Sequence, residues 1–279
     1  MINGRTRIAG VIGAPVSHSL SPLLMNSWIA AAGLDAAYVP FPARADFSGS
    51  GLRALSQSGL AGLNVTLPFK TLAAKNADIR SAGVAVTGAA NLLIFSNGKI
   101  EARNTDIDGI LHALSRAGQS FKGKSVLVLG AGGVARAACA AARQGAASKL
   151  AISNRTWSRA DDLAAVFDAI SVNWAERQDA AEAADIVINA TSLGMDGLSS
   201  PEIDFTRCPA GMVVFDTVYT PIRRPFMETA RAASLIAIDG LSMLIGQARP
   251  SFEALYEAPV PESMDADRLL RKALAHDHL

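Results

Sequence analysis

The sequence predicts an α/β protein of two domains, one of them a doubly wound parallel sheet. Three observations carry this expectation. Short apolar runs that read as strands alternate with helix-like runs along the chain, the pattern of helices layered on a sheet. The apolar run Val126-Leu127-Val128-Leu129 passes into a glycine cluster, Gly130-Ala131-Gly132-Gly133, and then into an alanine-rich helix to about Gln144. Finally, 279 residues are long for a single core, so two domains are the prior.

Composition narrows the function classes. Half of the residues are apolar and the net charge is +1. This argues against disorder and gives no reason to expect nucleic acid or another polyanion as partner. Cys139 and Cys208 suggest no disulfide framework, no Cys/His group has zinc spacing and no metal is expected; a reducing, cytoplasmic setting fits. The longest stretch without Lys, Arg, Asp or Glu, residues 8–34, is broken by Pro15, Pro22, four serines, His18 and Asn26, so no membrane span is expected. The N-terminus lacks the basic-then-apolar order of a signal peptide. His18, His112, His276 and His278 form no triad, and the last two are expected at a frayed terminus. No serine sits in a nucleophile elbow, which leaves a hydrolase reading without support.

In the N-terminal half, Ile8 to Gly13 reads as a short buried strand. A loop then leads to a helix from Leu23 to Ala32, with Pro22 at its start, Ser21 as its N-cap and Gly33 as its stop. Ser19 and Ser21 thus lie at a helix N-terminus, where hydroxyls, N–H groups and the dipole favour an anion; capping alone also accounts for both. A strand at Ala37 to Phe41 and a helix at Leu52 to Ser58 follow. In Leu63-Asn64-Val65-Thr66-Leu67-Pro68-Phe69-Lys70, apolar Val65 and Leu67 alternate with Asn64 and Thr66, so a strand is expected up to Pro68. A strand end presenting an amide, a hydroxyl and a lysine makes a poor core and a good site floor. After a helical segment near Thr71 to Ala77, Gly88 to Phe95 reads as a strand in which Asn91 is the odd polar member. Asn97-Gly98 is the strongest hairpin signal. It returns the chain to Asn104-Thr105-Asp106, just before a helix-like run from Ile107 to Leu114. If Lys70 and Asp106 meet, they form a proton-handling pair.

In the second half, the glycine cluster has the strand–turn–helix setting that a dinucleotide loop requires, in the form Gly-x-Gly-Gly-x-Ala with Ala135 in the third position. Lys149 to Ser153 closes the βαβ unit. At its end an NAD site usually places an acid for the ribose hydroxyls. Here Asn154-Arg155-Thr156 and Arg159 stand instead; an arginine and a hydroxyl accept a 2′-phosphate that a carboxylate would repel, which favours NADP. After a helix from Ser158 to Phe167, Asp185 to Asn189 and Met212 to Asp216 read as strands. Their end loops carry Thr191 and Thr217 at the edge where ligands sit in doubly wound sheets. A helix from Phe226 to Ala233, a last strand from Ser234 to Ile238 and a helix opening near Asp239 follow. Met243 and Gln247 share a face of it; on spacing alone, core packing accounts for Met243 and a polar helix position for Gln247. The tail from Pro259 reads as a surface helix.

Taken in order, Ser17 to Pro22, Asn64 to Lys70, Gly88-Ala89-Ala90-Asn91, Asn104-Thr105-Asp106, Gly130 to Gly133, Asn154-Arg155-Thr156, Asn189 to Ser192, Val218-Tyr219 and Gly240 to Gln247 resemble the motifs of the shikimate dehydrogenase family, with its quinate/shikimate relatives, over nearly the whole chain. The resemblance implies an NADP-dependent oxidoreductase that interconverts 3-dehydroshikimate and shikimate by hydride transfer, on the chorismate pathway of aromatic amino acid biosynthesis. It implies Lys70 and Asp106 as catalytic residues, Lys70 handling the proton. It implies that Ser19 and Ser21 hold the substrate carboxylate with Tyr219, and that Asn64, Thr66, Asn91, Asp106 and Gln247 hold its hydroxyls. For the cofactor it implies Gly130, Ala131, Gly132, Gly133, Val134, Asn154, Arg155, Thr156, Arg159, Thr191, Thr217, Gly240 and Met243. It places residues 1–106 and 240–279 in a substrate-binding domain, to which the C-terminal helices return, and residues 107–239 in a Rossmann-type NADP domain. A small-molecule substrate, no membrane, no nucleic acid and a monomer or homodimer complete the expectation. Met25, Leu92, Ser242 and Arg103 depart from the family's pattern, which keeps open a paralogue acting on quinate or on an aminated, shikimate-like cyclic hydroxy acid. A non-enzymatic NADP-binding sensor would keep the glycine loop and lose the Lys/Asp pair; here both are present.

Overall fold

The computed structural model describes residues 2–195, 198–221 and 224–276. The chain divides into two compact units, Met1–Asp106 with Leu244–Ala273 and Ile107–Met243 with Leu274–Leu279. Residues 240–243 fall with the second unit. Gly240 packs on the backbone of Thr217 and Val218, and Met243 is buried in the core of the second unit.

The first unit carries β1 (Arg7–Gly13), α1 (Ser21–Ala31), β2 (Ala36–Pro42), α2 (Gly49–Ser56), β3 (Gly62–Val65), α3 (Lys70–Asn76), β4 (Ile79–Arg80), α4 (Ala82–Thr87), β5 (Leu92–Ser96) and β6 (Lys99–Arg103), with α5 (Asp106–Arg116) leaving it. Its described residues form a six-stranded sheet in the order β2-β1-β3-β5-β6-β4. β1 pairs in parallel with β2 and β3, whereas β5 is antiparallel to both β3 and β6. The register has a consequence for every candidate residue. Ile12 opposite Val65 sets the ends of β1 and β3 side by side, Asn64 opposite Leu92 brings the start of β5 there, and Leu92 opposite Arg103 adds the end of β6. The loops after β1 and β3, Asn91 and the segment 104–106 therefore all leave the sheet at one edge.

The second unit carries β7 (Ser125–Leu129), α6 (Gly133–Gln144), β8 (Lys149–Asn154), α7 (Trp157–Phe167), β9 (Ile170–Asn173), α8 (Arg177–Glu182), β10 (Ile186–Asn189), β11 (Val213–Asp216), α9 (Pro225–Ala232) and β12 (Ile236–Ile238). Its sheet is ordered β12-β11-β10-β7-β8-β9, and each pairing in it is parallel. That is the doubly wound order, with its switch point between β7 and β10. The near-continuous apolar runs of β7, β10 and β11 fit a sheet covered by helices on both faces. α10 (Gly240–Tyr256) begins in this unit and continues in the first, where Phe252 meets Trp28 edge-on at 5.6 Å and Tyr256 at 5.2 Å. The expected tail helix is α11 (Ala266–His276); His278 lies outside the described residues. Among the described residues no helix is long and apolar enough to cross a membrane.

Some local expectations shift. Ser21 is not the N-cap of α1: Leu20 holds that position without a side-chain cap, and Ser21 opens the first turn together with Pro22. β3 stops at Val65, short of Leu67, because the Thr66 carbonyl accepts the Phe69 N–H and turns the chain there. The strand expected from Gly88 begins only at Leu92, since Gly88 closes α4. The short elements β4, α4, β9 and α8 have too few residues for a readable period. The hairpin at Asn97-Gly98 joins Ser96 to Lys99 with both turn residues at positive φ, 51° and 71°.

One close approach tests the first sheet. A Cβ on Gly10, in the middle of β1, would run into the Val39 carbonyl oxygen and the Phe41 ring of β2. Gly10→Ala is expected to destabilise the protein by about 1–3 kcal/mol, as overpacking does. A urea midpoint equal to that of the wild type would contradict the packing of β1 on β2.

Candidate active site

At the shared edge of the first sheet, Lys70 opens α3 and Asp106 opens α5. Lys70 Nζ lies 2.5 Å from Asp106 Oδ2, and the two side chains are only 10% and 6% exposed. A helix N-terminus favours a carboxylate and opposes an ammonium. Asp106 therefore sits well by itself, and the Lys70 amine at the start of α3 is offset by the Asp106 carboxylate that faces it. The other carboxylate oxygen, Oδ1, accepts from Asn91 Nδ2 at 3.0 Å, and the Asp106 N–H donates to Asn104 Oδ1 at 3.1 Å. Asn104 is anchored in turn on Thr87 Oγ1 and on the Ala89 carbonyl.

Asn91 is the hub of this edge. Its Nδ2 lies 2.8 Å from Thr105 Oγ1 and 3.2 Å from Gln247 Oε1, in addition to Asp106, while its Oδ1 accepts the Thr105 N–H at 2.7 Å. Asn64 is bonded on both sides, to the Tyr38 hydroxyl at 2.8 Å, the Asn91 carbonyl at 3.0 Å and Ser251 Oγ at 2.9 Å. The structure thus brings Lys70, Asp106, Asn91, Asn64 and Gln247 into one buried polar network. Thr105, Ser251 and Tyr38 belong to it too. The sequence reading did not single them out for a role: Thr105 was visible only beside Asp106, and nothing local marks Tyr38 or Ser251.

The hydroxyl candidates are placed differently. Thr66 follows β3 at the same edge, half-buried, and its hydroxyl has no hydrogen-bond partner among the described residues. Ser19 Oγ accepts the Ser21 N–H at 3.3 Å, and the Ser21 side chain has no partner among the described residues. In the first turn of α1 the Ser21 N–H is taken by Ser19 Oγ, Pro22 has none and the Leu24 N–H bonds the Leu20 carbonyl, which leaves the Leu23 N–H and the Ser21 hydroxyl to meet an anion.

The second unit has its own loop edge. Gly130, at φ 111°, comes so close to β10 that a Cβ would lie 2.9 Å from the Ala190 carbonyl oxygen, whereas a Cβ on Gly132 would meet nothing within 4 Å. Gly132 is the N-cap of α6 and provides no side-chain cap, so open space lies before the unpaired N–H groups of a 12-residue helix around Gly133 and Val134. A pyrophosphate fits this loop, with Ala131 between the two glycines. Asn154 ends β8 and bonds the Thr156 carbonyl at 2.9 Å; Arg155, Thr156 and Arg159 are exposed, and neither arginine has an ion-pair partner among the described residues. Thr191 bonds Asn189 Oδ1 through both its N–H and its hydroxyl, and Thr217 donates twice to the Asn189 carbonyl. Tyr219 follows β11 in this unit and is partly buried. Among the described residues no group of three or more His, Cys, Asp or Glu could hold a metal ion.

Beneath these loops lies a further buried cluster. Asp216 and Arg224 are 0% and 1% exposed and meet at 2.7 Å. Asp216 Oδ1 also accepts from Asn189 Nδ2 at 2.9 Å and from the Val218 N–H at 3.1 Å. The guanidinium also donates to the Pro221 carbonyl, while its Nη2 is buried with no partner among the described residues. A polar residue ending each of the apolar runs Ile186–Asn189 and Val213–Asp216 was the available signal for Asn189 and Asp216; Arg224 had none.

The family model described as the shikimate dehydrogenase substrate binding domain matches residues 11–93, and the one described as shikimate / quinate 5-dehydrogenase matches residues 112–216. The chain is 45% identical over 264 residues to the shikimate dehydrogenase (NADP(+)) of Maricaulis maris, covering 94% of each chain. It is similar to the crystal structure of shikimate dehydrogenase from Aquifex aeolicus, with a TM-score of 0.89 and 34% identity over 97% of this chain and 100% of that one. The shikimate 5-dehydrogenase of Thermus thermophilus in complex with NADP(H) and shikimate matches with a TM-score of 0.86 and 30% identity over 96% and 100%.

The Asp216–Arg224 pair yields a signed expectation. Burial raises the Asp216 carboxyl above its ordinary value, and the Arg224 guanidinium opposes that rise. A carboxyl raised in the folded state contributes most at low pH, and that contribution is lost as the pH rises through the folded value. Arg224→Met removes the opposing charge and enlarges the rise. The variant should lose about 3–5 kcal/mol near neutral pH and recover part of it as the pH is lowered and Asp216 takes up a proton. Urea unfolding as a function of pH checks this; a deficit that stays constant would show that Asp216 does not depend on Arg224.

Proposed function

We infer the function from one premise: the chain belongs to the shikimate dehydrogenase family. It is an NADP-dependent oxidoreductase that interconverts 3-dehydroshikimate and shikimate. The identity to NADP-dependent shikimate dehydrogenases over 94% of both chains supports shikimate over quinate as substrate. The observation that carries the chemical reading is the buried Lys70–Asp106 pair at 2.5 Å, beside the Asn91 amide.

We assign the roles as follows. The first unit is the substrate-binding domain and the second the NADP-binding domain. Bound NADP supplies or takes up the hydride at the reacting ring carbon. Lys70 gives a proton to the oxygen of that carbon during reduction and takes one back during oxidation. Asp106 holds the ammonium in place and accepts from the reacting hydroxyl. Asn64, Thr66, Asn91 and Gln247 orient the ring through its hydroxyls, and Ser19 and Ser21 take the carboxylate at the N-terminus of α1. Because proton and hydride must arrive in one geometry, the fixed aim of Lys70 matters as much as its charge. In the second unit Gly130 to Val134 cradle the pyrophosphate, and Asn154, Arg155, Thr156 and Arg159 take the adenosine side with its 2′-phosphate. Thr191 and Thr217 line the strand-end loops. Met243 and Gly240 act by packing, the one in the core and the other against Thr217, and so shape those loops. A cytoplasmic setting is the reading that the two free cysteines support.

Two outcomes test this division. Lys70→Ala should lower turnover by about two to four decades, the worth of a positioned acid–base group, while NADP still binds. Retention of most of the turnover would remove Lys70 from the chemistry. Arg155→Ala should raise the Michaelis constant for NADP by about 10- to 150-fold, the loss of one charge-assisted contact, and leave that for NAD little changed. An equal effect on both cofactors would mean that Arg155 does not read the 2′-phosphate.

A further inference from the structure

The Asn64 side chain is held at both ends, and the chemistry of its partners decides which end faces which way. On one side lie the Asn91 carbonyl oxygen at 3.0 Å and Ser251 Oγ at 2.9 Å. A carbonyl oxygen only accepts. Ser251 has one hydroxyl proton and two other neighbours to take it, the Gln247 carbonyl at 3.0 Å and Thr105 Oγ1 at 3.3 Å; with the proton used on either, this hydroxyl accepts from Asn64 as well. Two acceptors require the amide nitrogen on that side; turned over, the amide oxygen would face two oxygens. The Asn64 oxygen is therefore on the other side, where the buried Tyr38 hydroxyl donates to it at 2.8 Å. Both amide protons are thus consumed inside the protein, and the oxygen alone keeps a spare lone pair.

We propose that Tyr38 and Ser251 are positioning residues that lock Asn64 as a pure hydrogen-bond acceptor towards the substrate, so that the ring group it meets must be a donor, a hydroxyl or an amine, and never a ketone, ether or halogen. This rests on the place of Asn64 in the substrate site given above. Neither Tyr38 nor Ser251 needs to touch the ring; both act through the orientation of one amide. A site committed in this way rejects an analogue lacking the matching donor far more strongly than a pocket rejects a missing methylene.

The lock and its use are tested separately. Asn64→Asp keeps the shape but turns an oxygen towards Asn91 and Ser251, so the variant needs a carboxyl proton in place of the lost N–H. Its melting temperature should fall below that of the wild type at about pH 8, and the gap should narrow towards about pH 5 as the carboxyl takes up that proton. The gap for Asn64→Leu should not change with pH. The titratable groups around Asn64 are Tyr38, with Tyr256 behind it, and the Lys70–Asp106 pair beyond Asn91; they are common to all three proteins, and Asn64→Leu shows the pH dependence that they contribute without a carboxyl at position 64. A gap for Asn64→Asp that is independent of pH overturns the lock. For its use, Tyr38→Phe should raise the Michaelis constant for shikimate about tenfold, the loss of one neutral hydrogen bond, with turnover held within about threefold and the constant for NADP unchanged. The wild type should be assayed with shikimate analogues in which each non-reacting ring hydroxyl is replaced in turn by fluorine or by an amine. At one position fluorine should cost about 100-fold or more in kcat/KM while the amine keeps most of it. Equal treatment of fluorine and amine at every position overturns the specificity claim. If that happens while the pH-dependent gap is present, Asn64 is locked but lies outside the substrate site, and it is the site reading that falls. If Asn64→Asp does not fold, the analogue series on the wild type still decides.

Discussion

The Lys70 ammonium and the Asp106 carboxylate sit 2.5 Å apart with almost no solvent, and the arrangement around them follows from keeping both ions satisfied. Desolvating two charges costs several kcal/mol per ion, which attraction offsets only when the geometry is good and the remaining lone pairs are bonded. That requirement is met by Asn91 on one carboxylate oxygen and by the N-terminus of α5 with Asn104 beneath it. Asn91 is held by the Thr105 N–H and leans on Gln247, so α10 becomes part of the same constraint. A pair held in this way adds little net stability, but it gives the lysine one direction in which to point.

The second unit solves a similar problem at its own strand ends. Asn189 and Asp216 close adjacent parallel strands, and Arg224 comes in from the following loop to neutralise Asp216. Thr191, Thr217 and the Val218 N–H are all tied to these two strand ends. The loops that would face a ligand are therefore hung from buried polar groups rather than left to their own preferences. In both units the candidate residues cluster where strands end, the edge at which ligand sites in α/β sheets commonly lie.

Most of the second unit was legible because its signals are local. An apolar run, a glycine cluster and a helix in direct succession specify a dinucleotide loop, and the replacement of an acid by Asn154-Arg155-Thr156 points to a 2′-phosphate. Lys70, Asp106 and Asn91 were also readable, each as a polar residue out of place in an apolar run or just before a helix. Tyr38 and Ser251 were not: one lies in a strand and the other in a helix, each in a position where a side chain of its type is ordinary. Ser21 was misplaced by one step, because proline and serine near a helix start fit two neighbouring cap positions equally well.

What the sequence by itself determined was the α/β, two-domain architecture and the order of its longer strands and helices, together with which polar side chains stand out from apolar runs, since these depend on short-range periodicity and on residue chemistry. The tertiary structure alone decided which of those side chains meet. β5 runs antiparallel between β3 and β6, so its beginning, not its end, lies beside the end of β3. That reversal brings Asn91 to Asn64 and Asp106 to Lys70, although 27 and 36 residues of chain separate them. Strand order and direction are set by the packing of the whole sheet, which no local window contains.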